Sequence, residues 1–135
     1  LDQFVLRGGR LLLLLDPHSE MQATRPGADG RPPADTASAL PRLLDAWGVE
    51  APPGEVVLDL RGAWRVRARP GDRVQAVDWP AWFFLQGEGI NRREVATAAL
   101  EQVTFATSGS LRPRPGAAAE WTPLLTTSPQ SMVVP

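Results

Sequence analysis

The chain alternates short apolar runs with long polar stretches carrying proline and glycine, and the spacing inside each run predicts an element. Phe4, Val5 and Leu6 lead into Gly8 and Gly9, the pattern of a final helical turn closed by a residue free to take positive φ. Arg10 then opens five consecutive leucines, residues 11–15, ended by Asp16 and Pro17. A run apolar at every position fits an interior strand covered on both faces, as in a parallel sheet flanked by helices. Residues 17–33 hold Pro17, Pro26, Gly27, Gly30, Pro32 and Pro33 and read as a surface loop. Leu40, Leu43, Leu44 and Trp47 follow helical spacing, with Asp35 or Thr36 as the cap, Pro41 in the early turns and Gly48 at the end.

After the break at Pro52, Pro53 and Gly54, residues 55–60 read as a strand. Residues 64–69 alternate strictly: Trp64, Val66 and Ala68 on the core face, Arg65, Arg67 and Arg69 on the other. Pro70, Gly71 and Asp72 predict a turn, and residues 73–77 return as the partner strand of a hairpin. Residues 81–86 read as a further strand introduced by Trp79-Pro80. A short helix is expected over 92–100 with Asn91 as its cap, then a strand over 102–107. Residues 112–119 predict a loop, 121–127 an edge strand, and Pro129 onward a tail. Helices and strands alternating over the first 60 residues predict an α/β fold, a mostly parallel sheet with flanking helices and an antiparallel hairpin.

Composition narrows the function classes. At 135 residues and 43% hydrophobic content the chain is sized for a single domain, residues 1–135. The formal net charge of −1 provides no field that would gather phosphate backbones, so no nucleic-acid partner is expected. The absence of cysteine removes thiolate catalysis, cysteine zinc sites and disulfides together. Leu1 to Phe4 offer neither a start methionine nor a signal peptide. The chain is therefore expected to begin inside a longer protein, truncated at the N-terminus. A sheet edge left unpaired by that truncation would suit a homodimer of the fragment.

Candidate chemistry is sparse. Asp16, His18 and Glu20 are spaced by two after the leucine run, where ligands bind in open α/β sheets. A polar loop after a strand normally carries such residues, and His18 is the only imidazole. No metal site and no cofactor are expected, and Asp16 and His18 remain candidate binding residues. Ser108, Ser110, Ser128 and Ser131 lack a Gly-x-Ser-x-Gly elbow, and no glycine cluster has phosphate-loop spacing, so no catalytic residue is assigned. Trp79, Trp82, Phe83 and Phe84 could form a carbohydrate or peptide platform, but alternation on a strand favours a core role. Arg65, Arg67 and Arg69 are candidate binding residues for an acidic partner or lipid headgroups, set against the plainer reading of a charged edge strand.

Residues 1–10 followed by the leucine run to Asp16-Pro17, the helix 40–48 with Val49, and the strand Val56-Val57-Leu58-Asp59 recur in a recognisable order. Trp79-Pro80-Ala81-Trp82, residues 99–111 and the ending 122–129 continue it. In this order the chain resembles the gliding-motility-type ABC transporter auxiliary family, whose extracytoplasmic domain also resembles the N-terminal domain of an intraflagellar-transport subunit. The resemblance implies a flavodoxin-like or glutamine-amidotransferase-like fold without catalytic residues, on the periplasmic or extracytoplasmic face of the membrane. It also implies anchoring by helices outside this segment, and permease and ATPase subunits as partners. The expected function is non-enzymatic binding or assembly, involving a partner subunit or a cell-envelope ligand. The rival expectations are a degenerate amidotransferase-like hydrolase and a carbohydrate- or peptide-binding module.

Overall fold

The computed structural model describes residues 1–69, 71, 73 and 75–135. Among them every strand pairing is antiparallel. β1 (Val49–Glu50) pairs with β6 (Arg112–Pro113), and β2 (Val56–Asp59) pairs with β7 (Ser131–Val134). β3 (Ala63–Arg67), β4 (Ala76–Gln86) and β5 (Gln102–Ala106) form a three-stranded sheet in the order β3-β4-β5. The helices are short: α1 (Asp2–Leu6), α2 (Glu20–Ala23) and α3 (Pro41–Trp47) have 5, 4 and 7 residues.

The core follows from alternation along β4. Phe83 and Leu85 point inward and are buried with Val57 of β2 and Ile90, and Val103, Phe105 and Leu125 pack against them. Phe83 lies opposite Phe105 in register, with ring centroids 5.3 Å apart. Such a pair adds about 0.5–1.5 kcal/mol beyond the area it buries. β4 also tolerates a proline near its middle. The β3 register jumps from Trp64 opposite Trp79 to Ala63 opposite Phe83, while pairing with β5 begins only at Trp82. Pro80 thus sits in a bulge outside both ladders, where its missing N–H costs no hydrogen bond. Gly62 accepts from Phe84 N at 3.0 Å, and a Cβ on Gly62 would collide with the Phe84 carbonyl. Only glycine allows that approach.

Among the described residues the expected flavodoxin-like or amidotransferase-like parallel sheet is absent. A parallel crossover needs a dozen or more residues, usually helical, and no helix among them is long enough to cover a sheet face. The leucine run is not an interior strand. Residues 11–15 belong to no helix or strand, and none of their backbone groups is hydrogen-bonded among the described residues. Leu12 and Leu14 are 84% and 83% exposed, while Leu11, Leu13 and Leu15 are half-buried. Apolar residues on both faces record two faces that avoid water; they do not supply a neighbouring strand.

Other boundaries shift for local reasons. Ser19 accepts from Gln22 N and caps α2 inside the expected loop 17–33. α3 begins at Pro41 in its first turn, without a cap from Asp35 or Thr36, and ends as expected at Gly48, φ 69°. The hairpin of β3 and β4 forms, although Pro70 and Asp72 of its turn and Val74 of its return lie outside the described residues. The expected strand 81–86 is the second half of the same β4. Residues 92–100 form turns, not a helix: Thr97 Oγ1 donates back to the Asn91 carbonyl, in competition with a helical ladder. Over 121–127 only Leu125 bridges, to Ile90, and the expected tail supplies β7.

Candidate functional site

β2 alternates, so Val57 and Asp59 share its inward face. Asp59 is 1% exposed, a carboxylate delivered to the edge of the apolar core. A charge there is tolerated only when fully hydrogen-bonded. Ser128 N donates to Asp59 Oδ2 at 2.7 Å, Ser128 Oγ donates to Oδ1 at 2.7 Å, and Arg61 N donates to Oδ1 at 2.9 Å. Burial alone would raise the carboxyl pKa, but these bonds and one from the Gly62 backbone outweigh it and hold the group below its ordinary 3.8.

The Ser128 hydroxyl also accepts from Gln130 N at 3.1 Å, and the Ser128 carbonyl accepts from Ser131 Oγ at 2.7 Å. One carboxylate therefore fastens the end of β2 to the turn that starts β7. Beside it opens a cleft of about 680 Å³, bounded by Asp59, Arg61 and Gly62, the turn Gly87–Gly89 and residues 126–129, with Arg61 and Glu88 exposed on its walls. Chemically the pair is a latch. A carboxylate of lowered pKa that is saturated with donors is a poor base, so it does not activate the serine.

The residues singled out in the sequence fall in two other places. Asp16 and His18 lie together, as the spacing requires, but each has an internal partner: Asp16 Oδ1 accepts from His18 N at 3.0 Å, and His18 Nδ1 contacts Thr36 Oγ1 at 3.2 Å. Glu20 accepts from Trp82 Nε1 at 2.7 Å. Among the described residues no group of His, Asp and Glu is arranged to hold a metal ion. Thr107 closes this corner with φ 48°, unusual for a β-branched residue, donating from N to the Ala81 carbonyl and from Oγ1 to the His18 carbonyl.

Arg65 and Arg67 are exposed on β3, and Arg69 is exposed just beyond it. Arg65 pairs with Asp78 across the ladder at 3.3 Å. Trp64, expected inward, is 45% exposed opposite Trp79 at 49%, because the bulge turns this end of the hairpin from the core. Sequence reasoning missed the latch; its signal was an aspartate ending a Val-Val-Leu run on the buried parity.

No helix among the described residues is long and apolar enough to cross a membrane. A family model described as an ABC-type uncharacterized transport system matches residues 1–135. No curated protein and no solved structure matches the chain.

Proposed function

This chain belongs to the auxiliary-component family of ABC-type uncharacterized transport systems, and on that premise we propose that it works by binding and assembly, without catalysis. In this reading it is an extracytoplasmic domain of the gliding-motility type, engaging permease and ATPase subunits of the same system through its longer parent protein. The observation that carries the reading is the committed state of Asp59. The most reactive-looking pair, Asp59 and Ser128, spends its hydrogen bonds on joining β2 to β7. His18 Nδ1 is engaged by Thr36 Oγ1.

The test is co-purification of the full-length protein with the permease and ATPase, together with a screen of ester, amide, phosphate and glycoside substrates. Recovery of the complex with no turnover is expected. Turnover abolished by Ser128→Ala or His18→Ala overturns the proposal. One observation favours a second reading, a carbohydrate- or peptide-binding module: Trp64 and Trp79 are directly opposed and about half exposed. Glycan binding lost in Trp79→Ala would support it.

A further inference from the structure

The segment from Arg10 to Asp16 carries its own complement. Residues 11–15 lie in no helix or strand, alternate in exposure with the period of a strand, and hydrogen-bond through their backbone to nothing among the described residues, an open edge with leucine at every position. Native proteins cover such edges, because unpaired N–H and C=O groups template another strand. The exposed parity is occupied by Arg10, Leu12, Leu14 and Asp16, with Arg10 exposed and Asp16 half-buried.

We propose that a second copy of this chain covers the edge, pairing the two segments antiparallel about a twofold axis through Leu13. In that register Leu12 faces the partner's Leu14, Leu11 faces the partner's Leu15, and Arg10 faces the partner's Asp16. Directly opposed side chains in an antiparallel pair lie about 4.5–5.5 Å apart at Cβ, within reach of an ion pair at each end. Asp16 Oδ1 is taken by His18 N, and Oδ2 accepts nothing among the described residues, so it can receive a guanidinium. Charge also fixes the direction. Parallel in-register pairing sets Arg10 against Arg10 and Asp16 against Asp16, and antiparallel registers shifted from Leu13 separate the opposite charges. Twofold symmetry requires a patch complementary to itself, which this sequence provides. The pairing rests on the open edge and its charges and is independent of the transport role.

Sedimentation velocity across the micromolar to millimolar range reads the association. The wild-type protein is expected to dimerise, and Arg10→Glu, on an exposed side chain, to weaken the dimer by about tenfold or more while its circular dichroism is unchanged. Arg10→Glu and Asp16→Lys chains, each weakened alone, should dimerise when mixed, because the mixture restores both opposite-charge pairs. Asp16→Lys also gives up the bond to His18 N, so cross-linking provides an arm that does not need it. The chain has no cysteine, so Leu13→Cys on the axis should oxidise to a covalent dimer, whereas Leu12→Cys should do so only when mixed with Leu14→Cys. A wild-type monomer at every concentration overturns the proposal and leaves the edge to another chain. Equal self-cross-linking of Leu12→Cys and Leu13→Cys overturns the antiparallel register.

Discussion

The strands β2, β4, β5 and β7 and the first 47 residues both carry many apolar side chains, yet they are held in different ways. In the strand region the apolar groups meet one another: Phe83 is 2% exposed, Ile90 4% and Val57 5%. In the N-terminal region they largely face outward, with Leu1, Phe4, Leu6, Leu12, Leu14 and Met21 all more than half exposed. Single polar contacts attach that region instead. Trp82 Nε1 donates to Glu20 at 2.7 Å, Thr107 Oγ1 to the His18 carbonyl at 3.2 Å, and Gly54 N to the Pro17 carbonyl at 3.1 Å. Apolar content is thus no measure of burial. Burial requires a second surface, and the strand region supplies its own.

Substitutions in the two regions should separate sharply. Phe83→Ala removes the centre of the core and should cost about 3–5 kcal/mol in chemical denaturation, enough to unfold a marginal domain. Asp59→Ala strands the Ser128 and Arg61 N–H groups and should cost roughly 2–4 kcal/mol, with β7 losing hydrogen-exchange protection first.

The same latch sets a pH dependence. The folded pKa lies below the unfolded 3.8, so its contribution is complete above that value and disappears as pH falls through the lower folded one. Acid titration of Asp59→Asn should therefore lack the part of the wild-type stability loss that occurs below about pH 4. A wild-type-like acid profile in Asp59→Asn would remove the latch from the account.

Trp82→Phe keeps most of the ring and gives up the bond to Glu20, so about 1 kcal/mol is expected, with exchange quickening across residues 20–24. The smallest effect belongs to the exposed leucines. Leu12→Ser in the monomer should shift stability by no more than about 0.5 kcal/mol. A cost comparable to Phe83→Ala would erase the contrast between the regions.

What could be read from the sequence follows the same division. Alternation located β3 and the hairpin, because a strand with its own partner nearby shows period two. Gly8 and Gly48, φ 86° and 69°, ended two helices where the chain needed positive φ. The leucine run misled because continuous apolarity is shared by buried strands and by strands awaiting a partner. The helix expected over 92–100 failed on the Thr97 hydroxyl, which bonds locally. β7 was invisible because Ser131–Val134, short and followed by Pro135, forms a strand only against β2. The Asp59 latch joins positions remote in sequence, and spacing rules see only near neighbours.

The interleaving of the strand pairs has a kinetic consequence. β1 meets β6 and β2 meets β7, so the second ladder needs Val134 to have left the ribosome before Val56 finds its partner. The hairpin of β3 and β4 can close early, as a local contact with little loop entropy to overcome. Val57 and the Asp59 carboxylate must wait with their strand unpaired until the β7 segment has been made, an interval in which a nascent chain is exposed to misassembly.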